Sequence, residues 1–166
     1  MKTKCVTCGK REVRTGPALP YSRTVAGHEF NGSVPGRACS ACGEKYYNGP
    51  ELVQFDLRVA AELARSGTTN GEAIRFMRRS AGMKATDLAD LLGVTPETVS
   101  RWENEKLAAD RRTIALLGSI VNDIIAGRSY TVDWLHSLIA PPKLGKKVKV
   151  PTARSKLLKH DSGRRP

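Results

Sequence analysis

Apolar and polar positions change rhythm twice along this chain. Residues 1–48 hold short Val- and Tyr-containing runs broken by Gly, Pro, Ser and Thr, with no helical period; they predict turns and short strands. From Pro50, in "PELVQFDLRVAAELARSG", Leu52, Phe55, Val59 and Leu63 recur three or four apart. Pro50 and Glu51 suit a first helical turn, and Gly67 suits a stop just past the last. "SGTTNG" reads as a linker. Between Gly71 and Gly127 four short helical patterns follow, marked by Ile74, Phe76 and Met77, then Leu88, Leu91 and Leu92, then Val99 and Trp102, then Ile114, Leu117, Val121, Ile124 and Ile125. "SYTVDWLHSLI" predicts one more short helix, capped by Thr131. From Pro141 the chain is charged, holds four prolines and few large apolar groups, and is expected to be disordered in isolation.

Four cysteines change the reading of the first region. They fall into two like-spaced pairs, Cys5 and Cys8 in "CVTCGK" and Cys39 and Cys42 in "CSACGE". A single Cys-x-x-Cys is ambiguous between a redox couple and half of a metal site. Two pairs supply the four soft ligands of a closed tetrahedral zinc site. Gly9 and Gly43 permit a positive φ, which lets backbone N–H groups turn toward the sulfurs. Neither pair opens a helical period, as a redox motif would. Thirty residues separate the pairs, so the spacer must fold as a small sheet or long hairpin. His28 is a rival ligand in principle, but four thiolates complete the shell. The expectation is one structural Zn2+ per chain.

Composition narrows the partners. The chain has 166 residues, 40% of them apolar, with a net charge of +12, which points to polyanions and to nucleic acid first. The excess is uneven. Residues 1–70 carry ten basic and six acidic groups, residues 71–127 eight of each, and residues 128–166 ten against two. No apolar run approaches the roughly 20 residues of a membrane span, and no secretory signal is visible. A cytoplasmic location is expected, where thiols stay reduced. There is no Ser/His/Asp set, no carboxylate cluster and no phosphate-cradling glycine loop, so no enzymatic activity is expected.

The stretch "MKATDLADLLGVTPETVSRWENEK" carries the second motif. Leu88, Ala89 and Leu92 predict the inward face of one short helix, and Gly93 the sharp turn after it. Thr95 is a good N-cap, and Pro96 fits the first position of the next helix. Val99 and Trp102 then face the core. Glu97, Thr98, Ser100, Arg101 and Asn104 face outward, with Lys106 just beyond, as on a recognition helix in a major groove. Arg101 is the foremost base or phosphate contact, and Glu97 can accept from cytosine N4 or organise Arg101. Arg78, Arg79, Lys84, Arg101 and Lys106 are expected to cluster on one face. Glu103 is read as a structural hydrogen-bonding group.

With both motifs in view, the chain resembles the MqsA-type antitoxins, a zinc-finger plus helix-turn-helix family, over about residues 1–125. The paired cysteines with their long spacer, the helix after them and "LGVTPETVSRWENEK" stand in that family's order. The resemblance implies a type II toxin–antitoxin system, in which the zinc domain caps a RelE-like ribonuclease toxin. The C-terminal domain then forms a homodimer on a palindromic double-stranded DNA operator and represses its own operon. The family looks to have Asn where Glu97 stands here, so the operator should differ. Lys84-Ala85 replaces a common Thr-Gln, and Lys84 substitutes for the lost phosphate contact. A stand-alone zinc-containing regulator is the alternative. The fold class expected is α+β, a small zinc-stabilised, mostly β module followed by an all-α, phage-repressor-like domain. Its parts are residues 1–66, 67–140 and a basic tail, 141–166.

Overall fold

The computed structural model describes residues 4–10, 13–15, 18–139, 141, 143 and 145–148. Most of the expected disordered tail, residues 141–166, lies outside the described residues. Among the described residues the architecture is α+β, a strand-rich N-terminal part followed by six helices.

Strand β1 (Val13–Thr15) pairs antiparallel with β4 (Gly36–Cys39), which pairs with β5 (Lys45–Tyr47). Between them, β2 (Leu19–Val25) and β3 (His28–Val34) form a separate antiparallel hairpin. The 30-residue spacer is therefore largely a long hairpin. Its two-residue turn, Ala26-Gly27, has positive φ at both positions, the geometry that matches the twist of paired strands. Along β2 the residues alternate: Pro20, Ser22 and Thr24 are exposed, while Tyr21, Arg23 and Val25 turn inward.

The inward face rests on helix α1 (Gly49–Arg65). Tyr21 meets Phe55 edge to face at 5.1 Å and Tyr47 at 5.0 Å. Arg23 grips the Asp56 carboxylate through two nitrogens, each at 2.9 Å. Val25 enters the main core. Beyond the turn, the Ala26 N–H donates to Glu72 at 3.0 Å. His28 is exposed on the hairpin.

Helices α2 (Gly71–Ser80), α3 (Ala85–Leu92), α4 (Pro96–Glu103), α5 (Arg111–Ile125) and α6 (Tyr130–Ile139) follow. Local chemistry explains most of their boundaries. The Asn70 side chain accepts from the N–H groups of Glu72 and Ala73, Thr95 from Thr98, and Asp110 from Thr113. The Lys84 N–H donates to Asp87 at 2.7 Å, which closes the start of α3. Gly93 ends α3 with φ 65°, a left-handed cap that costs a residue without Cβ little.

One core joins α1 to the later helices. Leu57, Val59, Ala60 and Leu63 of α1 pack with Ile74 and Met77, Leu88 and Ala89, Val99 and Trp102, and Ile114, Leu117 and Val121. Two details differ from the periodicity. Leu91 is buried while Leu92 is only half-buried, and Ile120 is buried while Ile125 is exposed. Thr131 is not the cap of α6. It lies inside the helix, and its hydroxyl and N–H both donate to Asp123 at 2.7 Å. Ser129 instead closes the first turn by donating to Asp133 at 2.7 Å.

Candidate functional site

Two regions carry chemistry. The first is built by two matching knuckles. In one, the Gly9 N–H donates to the Cys5 carbonyl at 3.0 Å and the Cys5 N–H to the Lys10 carbonyl at 2.9 Å. In the other, Gly43 donates to Cys39 and Cys39 to Glu44, both at 2.8 Å. Gly9 and Gly43 have φ of 73° and 77°, so both turns use the left-handed conformation that the trailing glycines permit. Strand β4 ends at Cys39 and brings the second knuckle against the first.

The four sulfurs of Cys5, Cys8, Cys39 and Cys42 lie within 4.8 Å of one another. Cys5 and Cys42 are 3.6 Å apart, and Cys8 and Cys39 3.7 Å. A tetrahedron with zinc–sulfur bonds of about 2.3 Å has edges of about 3.8 Å, so the spacing fits a metal of that size and ligand preference. Cys5 and Cys39 are buried, and Cys8 and Cys42 face solvent.

Tyr46 of β5 completes the environment. Its hydroxyl accepts the Val6 N–H at 3.1 Å, which leaves its own proton for the Cys5 sulfur, also at 3.1 Å. This bond is the main reason the Cys5 thiol is lowered to about 6, with the backbone at Cys8 next. The same bond raises the Tyr46 phenol. For Cys42, the Glu44 backbone favours the thiolate, but partial desolvation and the other three sulfurs win and push it up to about 12. The cluster resists carrying four negative charges unaided, and a divalent cation at its centre removes that conflict. The spacing of the cysteines alone does not single out Tyr46. Its position seven residues after Cys39, on a strand pairing back to β4, was the available signal.

The second region is the pair α3–α4. Lys84, Thr95, Glu97, Ser100, Arg101, Asn104 and Lys106 are exposed, and Thr98 is half-buried. They do not share one condition. Thr95 and Thr98 are engaged at the start of α4, with hydroxyls 3.2 Å apart. Glu97 is held below the usual carboxylate range, first by its own backbone N–H and then by the Thr95 hydroxyl. Asn104 is tied into the fold: its amide donates to the Ser100 carbonyl at 2.7 Å, and its oxygen accepts from Arg75 at 2.9 Å. Arg101 projects outward, and among the described residues its guanidinium makes no hydrogen bond or ion pair. Arg101 is thus the cation on α4 left available for an external anion.

Behind that face α4 is locked to α2. Arg78 donates to both oxygens of Glu103, at 2.6 and 3.0 Å, and to the Met83 carbonyl at 2.7 Å. Arg75 reaches the same carboxylate at 3.2 Å. Arg78 is therefore not on the exposed basic face expected for it. It is buried as the partner of Glu103, whose structural role follows. Its place beside Met77 and four residues after Ile74, on the apolar stripe of α2, was the signal: an arginine there needs a carboxylate. Burial pushes the Glu103 carboxyl up, but Arg78 and then Arg75 outweigh it and hold it low. At the same contact the Gly71 Cα faces the Trp102 and Glu103 carbonyls so closely that a Cβ would lie 2.6 and 2.8 Å from them.

Residues 74–120 match the helix-turn-helix family model HTH_3. The matched segment runs from α2 into α5 and includes the whole α3–turn–α4 unit. The match supports a DNA-binding regulator. No curated protein matches the chain. Among the described residues no helix is long and apolar enough to cross a membrane.

Proposed function

We propose that the protein is a sequence-specific DNA-binding repressor and the antitoxin of a type II toxin–antitoxin system. The observation that carries the DNA reading is α4: one helix, capped by Thr95, locked from behind by Arg78 and Glu103, presenting to solvent an Arg101 that is unpaired among the described residues. Arg101 is the principal base or phosphate contact in this proposal. Glu97, Ser100 and Lys106 flank it, Lys84 reaches a phosphate, and Thr95, Thr98 and Asn104 hold the helix at its ends while lining the same face. A pseudo-palindromic operator read by a homodimer follows from the docking geometry of this motif.

The metal is proposed to be one structural zinc, held by Cys5, Cys8, Cys39 and Cys42. Four thiolates leave no open position for substrate, so its contribution is to fold the module rather than to catalyse. The surface so formed is proposed to cap a small ribonuclease-type toxin in the cytoplasm. That step rests on the order of the modules, zinc knuckles, helix and then helix-turn-helix. A stand-alone regulator is favoured by one feature: the hairpin is fastened to α1 and α2 through Arg23–Asp56 and Ala26–Glu72, as part of one structural unit.

The DNA reading is tested by mobility shift on the region upstream of the protein's own gene. Arg101→Ala is expected to lose about 1–3 kcal/mol of binding, concentrated at particular base pairs. Equal binding by the variant refutes the role of α4. The antitoxin reading is tested by expressing the adjacent open reading frame with and without this chain. Growth arrest relieved by the chain supports it; a harmless neighbour, or one that stays toxic, refutes it.

A further inference from the structure

Helix α6 is held firmly, yet one side of it stands exposed. Its start is fixed by the buried Asp123 carboxylate, which accepts from the Thr131 N–H and hydroxyl and lies 3.5 Å from Arg128. The helix leans on α5 and α3, but none of its ten residues is fully buried. Its outer side is apolar at a spacing of four: Tyr130, Trp134 and Leu138 are 55%, 67% and 69% exposed, with Ile139 beside them at 56%. A soluble helix that ends a bundle ordinarily turns its polar side outward.

The geometry points to this face as the surface on which a second copy of the chain docks, two-fold, with Trp134 at the centre. Three observations choose that occupant. First, α6 carries only Asp133 and His136 as acid or base groups besides Tyr130, and Asp133 is already bonded to Ser129. Apart from Arg128, which lies over the Tyr130 ring at one end of the face and also meets Asp123, the described face offers no anchor to nucleic acid and no counter-charge to a basic protein. A second copy brings the same neutral apolar strip, as a two-fold contact requires. Second, an aromatic side chain offers about 150–250 Å², and Tyr130 and Trp134, each more than half exposed, together with Leu138 and Ile139 present on the order of 500 Å², at the upper end for a monomer's largest patch. Two such faces together reach the roughly 1,000 Å² that a specific interface needs. Third, α6 packs on α3, the first helix of the helix-turn-helix, so a pair joined here sets two recognition helices in a fixed relation. The inference supplies the surface for the dimer proposed above and rests on that reading only for its purpose, not for its physics.

The test uses the full chain without DNA. Sedimentation velocity over about 1–100 µM is expected to show a dimer for the native chain and a monomer for the double variant Trp134→Glu, Leu138→Glu. The expected weakening is at least about thirty-fold for an aromatic anchor at an interface centre. Val53→Glu, at an exposed apolar position on α1, is expected to stay dimeric. A native chain that is monomeric throughout overturns the inference, as does a double variant that stays dimeric. Should the double variant not fold, the native chain still decides. Trp102 is buried and Trp134 is not, so self-association must shift tryptophan emission to the blue as concentration rises. No shift overturns it. A dimer that binds no operator sinks the repressor reading alone, and operator binding by a monomer sinks this inference alone.

Discussion

Replacing Glu103 by alanine removes the carboxylate that compensates Arg78 inside the protein and Arg75 at its margin. The pair Arg78–Glu103 is buried on both sides, with bonds of 2.6 and 3.0 Å. After the substitution Arg78 keeps the Met83 carbonyl at 2.7 Å, a neutral partner, and its charge stays in a poorly solvated place. Breaking such a pair by removing one partner costs about 3–5 kcal/mol, mostly as the penalty on the survivor. Arg75 is about one-third exposed and adds little. For a chain of this size each kcal/mol moves Tm by roughly 2–4 °C, so the expected fall is roughly 6–20 °C. Thermal and urea unfolding followed by circular dichroism measure it. The double variant Arg78→Met, Glu103→Leu should recover most of that stability, because an apolar pair of similar size removes both desolvation penalties. The acid side gives an independent check. The folded Glu103 carboxyl lies below its ordinary value of 4.5, so its stabilisation is present above that value and disappears as pH falls through the folded pKa. Glu103→Gln should therefore flatten the stability profile below about pH 4.5. A Tm change under about 2 °C for Glu103→Ala, or an acid profile unchanged in Glu103→Gln, refutes the account of α2–α4 locking.

Other outcomes follow from single interactions. Tyr46→Phe deletes the hydroxyl bond to Cys5 and should weaken zinc binding about 10–100-fold, measured by competition with a chromophoric chelator; unchanged affinity means that the bond is not felt by the metal. Cys39→Ser should abolish stoichiometric zinc binding and unfold the knuckles while the helical circular dichroism signal largely remains, so a variant that still holds one zinc with native affinity contradicts the four-thiolate site. Gly71→Ala places a Cβ against two backbone carbonyls and should cost about 1–3 kcal/mol in urea unfolding, and a neutral result would mean that α2 and α4 can move apart freely. Removing residues 141–166, whose nine Lys and Arg from Lys143 to Arg165 face one Asp, should flatten the salt dependence of DNA binding by about 0.9 in slope for each phosphate that the tail neutralises, and an equal slope denies the tail that role.

Much of this molecule is governed by interactions that span a few residues, and those are legible in the chain itself. The knuckles need only Cys-x-x-Cys-Gly, because their bonds close within six residues, as Cys5 to Lys10 and Cys39 to Glu44 do. The caps of Thr95 and Asp110 close within three, and the left-handed turn at Gly93 is a property of one residue. Their order along the chain was enough to announce an α+β fold with a helix-turn-helix. What the local pattern leaves open is decided by partners far apart in sequence. Arg78 is drawn into the core because Glu103 lies 25 residues away on a crossing helix. Asn104, outward-facing on a helical wheel, is claimed by Arg75. Helix α1 follows the cysteines in the chain, yet it shares its core with α2 and α5. Thr131 serves Asp123 rather than its own helix end. Periodicity says that α6 has an apolar side but not that the side stands exposed among the described residues. A one-dimensional pattern records which groups want burial or a partner. Which groups receive them depends on how helices cross, and that is a balance of desolvation and packing over the whole core that no window of neighbouring residues contains.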